Sequence, residues 1–254
     1  MTRIILSGCC GYMGRVITDI VSSDEDAVIV AGFDLAGQGS QEYPVFVKPG
    51  DCDVEADVLV DFSSPKALDG LLDYCIAKKL PAVFCTTGYT DDQMEKIHSA
   101  ADQIAVMKSA NMSLGINLLM KLLKDAARVL APAGFDMEIV EKHHNLKVDA
   151  PSGTALALAD SMNEALDQAY TYKYDRSQER KRRDKYEIGI SAVRGGNIVG
   201  EHEIIFAGLD EVIEVKHTAY SKGVFAKGAV QAAKYMAGRP AGFYDMGDVV
   251  LAQV

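Results

Sequence analysis

Arg3-Ile4-Ile5-Leu6-Ser7-Gly8-Cys9-Cys10-Gly11-Tyr12-Met13-Gly14 decides the fold. A short apolar run over Arg3–Ser7 reads as a buried strand, and glycines at 8, 11 and 14 follow it. A helix is predicted from about Met13 to Ser22. The Gly-x-x-Gly-x-x-Gly spacing is a variant of the dinucleotide fingerprint. Glycines let the backbone turn tightly and approach a pyrophosphate, while the helix start supplies N–H groups and a positive dipole end. Three glycines alone carry little weight. The context adds more, because Asp34 lies about 20 residues on, at the end of a second apolar strand over Ala27–Phe33. An acid there binds ribose hydroxyls. The competing reading makes Asp34 a turn former ahead of Gly37 and Gly39.

The expected cofactor contacts in this region are Gly8, Gly11, Tyr12, Met13, Gly14 and Asp34. A carboxylate at Asp34 repels a 2′-phosphate, and Leu35, Ala36 and Gln38 offer no cation to neutralise one. NADH is therefore expected to bind better than NADPH, with NADPH still usable. Arg15 is equally readable as a phosphate contact or as a solvated helix-face residue.

The same rhythm continues downstream. Strands are predicted at Ala56–Asp61, Ala82–Thr86 and Ile104–Lys108, with helices at Pro65–Lys79 and Asp91–Asp102. Short continuous apolar strands alternating with helices indicate a parallel sheet covered on both faces, the doubly wound, Rossmann-like pattern. Ligands bind at the carboxyl ends of such strands. Three loops there, containing Phe62 and Ser63, Thr86, Thr87 and Gly88, and Ala110, Asn111 and Met112, are expected around the nicotinamide and its ribose. Helix capping by Ser63 or Ser64, Thr90 and Ser113 is the compatible structural reading.

From residue 113 the pattern changes. A long helix is predicted at Leu114–Leu130, a strand at Phe135–His143 and a helix at Ser152–Tyr170. Strands are expected at Tyr186–Val193, Ile198–Phe206 and Glu211–His217. Arg194-Gly195-Gly196-Asn197 and Gly208-Leu209-Asp210 separate them and read as hairpin signals. These elements predict an α+β domain over 113–222 with an open mixed or antiparallel sheet. A helix at about Gly223–Ala237 and a tail strand near Asp248–Leu251 complete the expectation. The dinucleotide-binding domain is then 1–112 with 223–254. Arg176–Lys185 is charge-dense and reads as an exposed flexible loop.

Composition narrows the function classes. The 254 residues carry 36 acidic and 26 basic side chains, a net charge of −10. That balance opposes nucleic-acid binding or a broad membrane-binding face, while leaving room for a small basic pocket. No apolar run approaches the roughly 20 residues of a spanning helix, and the apolar start is too short for a signal peptide. A cytoplasmic protein is expected. The five cysteines, Cys9, Cys10, Cys52, Cys75 and Cys85, match no disulfide or zinc spacing and read as small packing residues.

The chemistry-bearing stretch is Glu141-Lys142-His143-His144-Asn145-Leu146-Lys147-Val148-Asp149-Ala150-Pro151-Ser152-Gly153-Thr154-Ala155. A turn entering a helix at Ser152, Gly153 and Thr154 suits a carboxylate, and Lys147 adds charge. His143 and His144 sit at a strand end, on opposite faces if the strand runs through both. Histidine titrates near working pH and suits proton donation. No third ligand stands at a standard metal spacing, so no metal is expected. His98 reads as solvent-facing, and His202 and His217 as structural.

These residues resemble the 4-hydroxy-tetrahydrodipicolinate (dihydrodipicolinate) reductase family over nearly the whole chain. The His-His-x-x-Lys-x-Asp-Ala-Pro-Ser-Gly-Thr-Ala segment at 143–155 is the most specific piece. The glycine loop, Asp61-Phe62-Ser63, Thr86-Thr87-Gly88, Ala110–Ser113 and Arg194–His202 support it. The resemblance implies an NAD(P)H-dependent oxidoreductase of diaminopimelate and lysine biosynthesis. Its implied substrate is a small dicarboxylate cyclic imine, and its implied assembly is a homotetramer built through the second sheet. It implies His143 as catalytic acid, Lys147 as second catalytic residue, and His144, Ser152, Gly153 and Thr154 as substrate contacts. Cys85 and Met112 stand where the family usually has Gly and Phe. Ser64 replaces a basic residue that some members carry, in line with NADH preference. Two other readings stay open. An acylating semialdehyde dehydrogenase would need a thiol, for which Cys85 is the candidate. A cofactor-sensing module would need no His143, Lys147 or Thr154.

Overall fold

The computed structural model describes residues 1–252. They form two compact units, one from Met1–Leu114 with the chain from Gly223 onward, the other from Gly115–Lys222. Residues 253 and 254, at the end of the expected nucleotide domain, lie outside the described residues.

The first unit is built on strands β1 (Thr2–Ser7), β2 (Ala27–Phe33), β3 (Val45–Phe46), β4 (Val58–Asp61), β5 (Ala82–Phe84), β6 (Ala105–Lys108) and β12 (Gly242–Tyr244). Their order is β12-β6-β5-β4-β1-β2-β3, and the neighbouring pairs are parallel. Strand order reverses on either side of β1, which is where a doubly wound sheet opens its ligand crevice. On one face lie helix α1 (Tyr12–Val21) and helix α6 (Gly223–Met236), whose Ala226, Ala229, Ala233 and Met236 are buried with Ile4, Leu6 and Val60. On the other face lie α2 (Leu68–Lys78) and α3 (Asp91–Ala100), with Leu68, Leu71, Leu72 and Cys75 packed against Ile5, Leu59 and Phe84. The 68, 71, 72, 75 spacing puts those side chains on one helical stripe. Thr90 and Gln93 start α3 with a reciprocal capping box.

The predicted tail strand at Asp248–Leu251 is corrected: those residues belong to helix α7 (Met246–Leu251), and the strand β12 comes just before it. The cause is a capping box, in which Asp245 accepts from the Gly247 and Asp248 amides while Asp248 accepts from the Asp245 amide. That local pairing outweighs the β-propensity of Val249 and Val250.

The second unit contains α4 (Leu114–Leu130), β7 (Asp136–His143), α5 (Gly153–Glu164), β8 (Thr171–Lys173), β9 (Glu187–Arg194), β10 (Gly200–Ala207) and β11 (Val212–Ala219). Its sheet order is β11-β10-β7-β9-β8. The β11-β10 and β10-β7 pairs are antiparallel, and the β7-β9 and β9-β8 pairs are parallel. The Gly208–Asp210 hairpin forms as expected, but Arg194–Asn197 does not close one. Strand β7 lies between β9 and β10, so that loop passes the end of β7, with the Gly195 amide donating to the His143 carbonyl. The sheet is mixed for this reason. Leu119, Leu123, Leu158 and Met162 from the helices pack on Met137, Ile139, Ile190 and Ile204 of one sheet face.

The helix predicted to Tyr170 stops at Glu164. Asn163 closes its end, accepting from the Tyr170 amide at 3.0 Å and donating to the Tyr170 carbonyl at 2.8 Å, and the chain then enters β8. The charged segment 176–185 is less free than its composition suggests. Arg183, 18% exposed, donates to Asp136, Glu138 and the carbonyls of Met137 and Glu187, and Arg176 pairs with Glu138 and Glu187. No described helix is long and apolar enough to cross a membrane.

Candidate functional site

In the first unit, three glycines shape the turn after β1. Gly8 has φ +77°, and a Cβ on it would fall 2.5 Å from the Phe62 carbonyl oxygen. A Cβ on Gly14 would fall 2.3 Å from the Gly8 carbonyl oxygen. The loop, helix and β4 edge therefore meet backbone to backbone. Gly11 is the N-cap of α1 and no side chain caps it, so the helix start presents its amides outward. Asp34, half-buried, accepts from the Cys10 amide and the Ala36 amide, both at 3.0 Å. Its carboxylate still has lone-pair capacity for hydroxyls. Arg15 folds back onto the Cys10 carbonyl at 2.9 Å. Tyr12 is 66% exposed beside this turn, and Met13 packs partly into the core.

The neighbouring loops are organised by Asp61, which is fully buried at the end of β4. It accepts from the Ser63 amide at 3.1 Å, the Ser63 hydroxyl at 2.5 Å and the Tyr89 hydroxyl at 3.2 Å. It thus ties the Phe62–Ser63 loop to the Thr86–Tyr89 loop. Thr86 is buried, whereas Thr87, Gly88 and Ala110 are exposed. Asn111 accepts from the Ser113 amide at 2.8 Å. Met112 is 5% exposed in the core, with its backbone against Gly228. Cys85 is buried, and burial pushes its thiol up, so it is a protonated space filler and a poor nucleophile. Cys9, Cys10 and Asp34 place ligand atoms within 4.8 Å of one another, but burial pushes the Cys9 thiol up to about 12, which disfavours the thiolate a metal needs.

In the second unit, the chemistry gathers where β7 ends. Glu141 and His143 share one strand face by the two-residue period. Glu141 is 0% exposed, and its Oε2 lies 2.6 Å from His143 Nδ1. Arg194 grips the same carboxylate with both terminal nitrogens, at 2.8 and 2.7 Å, and donates to the Asp149 carbonyl. The Ser152 amide donates to Glu141 Oε1 at 2.9 Å. Burial alone would raise the Glu141 carboxyl, but Arg194, His143 and the Ser152 amide outweigh it and hold it below the usual carboxylate range.

Ser152 is buried as the N-cap of α5, with Oγ accepting from the Ala155 amide and lying 3.1 Å from His202 Nε2. Its hydroxyl is thus engaged inside the protein, while Gly153 is exposed and Thr154 half-buried. His202 stacks edge-on against His143 with ring centroids 5.2 Å apart. Burial, then the proximity of His143, lowers its pKa to about 4, so it is neutral at working pH. His144 lies beyond the strand end, half-buried, with Nδ1 lacking a partner. Lys147 pairs with Asp149 at 2.7 Å. His98, as expected, is exposed, and it stacks on Phe243.

The structure thus brings His143, Ser152 and the start of α5 together and adds Glu141, Arg194, His202 and Asp149, which sequence reasoning had not assigned. Glu141 carried a readable signal, its place two residues before His143. Arg194 and His202 stood only in a segment that supports the family resemblance, with His202 read as structural; sheet register sets Arg194 opposite His143 and His202 opposite Glu141, which brings both to the site.

Residues 2–112 match the family model described as dihydrodipicolinate reductase, N-terminus, and residues 115–250 match its C-terminus counterpart. A 4-hydroxy-tetrahydrodipicolinate reductase of Clostridium novyi is 51% identical over 250 residues, covering 98% of each chain. One from Caldanaerobacter subterraneus is 45% identical at the same coverage. A dipicolinate-bound dihydrodipicolinate reductase from Paenisporosarcina superposes with TM-score 0.80 at 25% identity, covering 96% of this chain and 97% of that one.

Proposed function

This chain belongs to the dihydrodipicolinate reductase family, and from that premise we infer that it reduces 4-hydroxy-tetrahydrodipicolinate to tetrahydrodipicolinate in the diaminopimelate and lysine pathway. Bound NAD(P)H supplies the hydride. The residues present fit such a cofactor: a turn in which a Cβ on Gly8 or Gly14 would strike backbone, an uncapped helix start and a half-buried Asp34. Gly8, Gly11, Tyr12, Met13 and Gly14 would hold the pyrophosphate side and Asp34 the ribose. Phe62, Ser63, Thr86, Thr87, Gly88, Ala110, Asn111 and Met112 would line the nicotinamide side, Met112 through its backbone. We assign NADH as the preferred cofactor, because Asp34 is anionic and residues 35–39 carry no cation.

The substrate in its dehydrated form is a cyclic imine conjugated to an alkene. Hydride addition at C4 pushes electrons towards the ring nitrogen and leaves an enamine anion, which takes one proton at C3 to give the ring imine of the product. Protonated on both nitrogens, His143 donates that proton from Nε2, and the Nδ1–H of the imidazole left behind stays bonded to Glu141. Lys147 exchanges Asp149 for the substrate and steadies its developing negative charge. The Gly153 and Thr154 amides at the start of α5 receive one carboxylate, with His144 beside them. Ser152 shapes this turn from within. The carrying observation is the 2.6 Å contact between a fully buried Glu141 and His143, with the other oxygen of the same carboxylate accepting from the Ser152 amide at a helix start suited to an anion. The chain is further assigned as a cytoplasmic homotetramer, with 113–222 as substrate and assembly domain. Exposed Val193, Val199, Val212 and Ile213 in its strands and the β9–β10 loop support that assembly.

The test is nicotinamide oxidation with substrate generated in situ by a dihydrodipicolinate synthase, with NADH and NADPH in parallel. Synthase-dependent oxidation favouring NADH is expected. No oxidation with either cofactor, despite measurable cofactor binding, would overturn the assignment.

A further inference from the structure

Glu141 is saturated: its two oxygens receive His143 Nδ1, the Ser152 amide and two Arg194 nitrogens, and none of its surface is exposed. A carboxylate offers about four lone-pair sites, so no acceptor capacity is left for substrate. A buried ion pair that merely joined β7 to β9 would need Arg194 alone. Here the same group also reaches the candidate proton donor and the first residue of the substrate turn. On the far side of the ring, Gly200 is buried, and a Cβ built on it would lie 3.1 Å from His143 Nε2. The bare glycine keeps the Nε2 side of the imidazole open, while Nδ1 is committed to Glu141.

We propose that Glu141 is the positioning residue of this site, holding the Nδ1–H of His143 both in the imidazolium that donates from Nε2 towards substrate and in the Nδ1–H imidazole left behind, and locking the Ser152 turn to the same carboxylate. The proposal rests on His143 being the proton donor. Arg194 completes the device by neutralising the buried charge and by holding the Asp149 carbonyl, so proton donor and anion-binding turn share one anchor. An orienting carboxylate acts through tautomer and direction, without touching the reacting atoms.

The test is E141Q in the full chain. Glutamine keeps the shape and an acceptor for the Ser152 amide, but its NH₂ faces His143 Nδ1 and cannot accept the Nδ1–H that the donating imidazolium carries. The expected result is a fall in kcat of roughly 10²-fold, with the NADH dissociation constant unchanged and substrate KM within about threefold. E141D, which restores the charge, should recover at least about tenfold of the loss. Ring ¹⁵N shifts in alkaline buffer should show His143 as Nδ1–H in the native protein. An E141Q kcat within about threefold of native, or a native Nε2–H tautomer, overturns the proposal. If E141Q does not fold, the native ¹⁵N spectrum decides alone. H143A measured alongside separates the two claims. Full activity in H143A removes the donor assignment, whereas an inactive H143A beside an active E141Q removes only the role of Glu141.

Discussion

The glycine turn after β1 and the histidine corner at the end of β7 both occupy strand ends, yet they are made of opposite materials. The first is made by leaving side chains out. Gly8 and Gly14 let backbone meet backbone, and Asp34 ties the loop through the Cys10 amide. The second is made by burying side chains that ordinarily seek water: Glu141, His143, Ser152 and His202 are each 9% exposed or less. A backbone site tolerates many neighbours but few substitutions at its glycines. A side-chain site depends on every partner being satisfied, because an orphaned buried charge is costly. Binding and chemistry should therefore fail separately.

The largest separation is expected at His143. H143A should lower kcat by about 10²–10⁴-fold in steady-state assays, while calorimetry finds NADH affinity intact. Parallel loss of both would merge the two regions into one. Next is His202, whose folded pKa of about 4 lies below its ordinary 6.5. The unfolded chain takes up a proton that the native state refuses, so stability is full above pH 6.5, falls towards pH 4 and is lowest below that. The loss amounts to about 3 kcal/mol. Denaturant melts of H202N across that range should be flatter than native ones, and equal slopes would remove His202 as the source.

A smaller effect is expected at Gly14. G14A drives a methyl into the Gly8 carbonyl and should cost about 1–3 kcal/mol of stability, with NADH affinity weakened and the His143 ring signals unmoved. Shifted His143 signals would show that the regions are not separable. The smallest is Asp34. D34A should move the NADH-to-NADPH ratio of kcat/KM towards NADPH by about tenfold, or ~1.4 kcal/mol, through loss of ribose bonds and of repulsion. An unchanged ratio would leave Asp34 as only the tie for Cys10.

The same contrast explains what could be read beforehand. The parallel sheet was legible because β1, β2, β4, β5 and β6 each hold a continuous apolar run, and the glycine turn because its spacing is local. His143, Lys147 and the 152–154 turn were legible as one dense segment. The two-residue β3 and three-residue β8 are too short to show periodicity. The Asp245–Asp248 capping box was a local signal, but the valines beside it read as a strand. The insertion of β7 between β9 and β10 was invisible, since Gly195-Gly196 looks like any hairpin turn. The partners of His143 were hidden with it, because Arg194 and His202 reach the site only through sheet register, 51 and 59 residues away in sequence.

The most direct test of His143 as proton donor is to follow deuterium from NADH deuterated at the transferring C4 position into product, located by NMR, with native protein and H143A side by side. Tetrahydrodipicolinate carrying one deuterium at C4 is expected from the native protein, with the same label delivered at least about 10²-fold more slowly by H143A at equal NADH occupancy. Cofactor oxidation without label at C4, or equal rates in the two proteins, would contradict it.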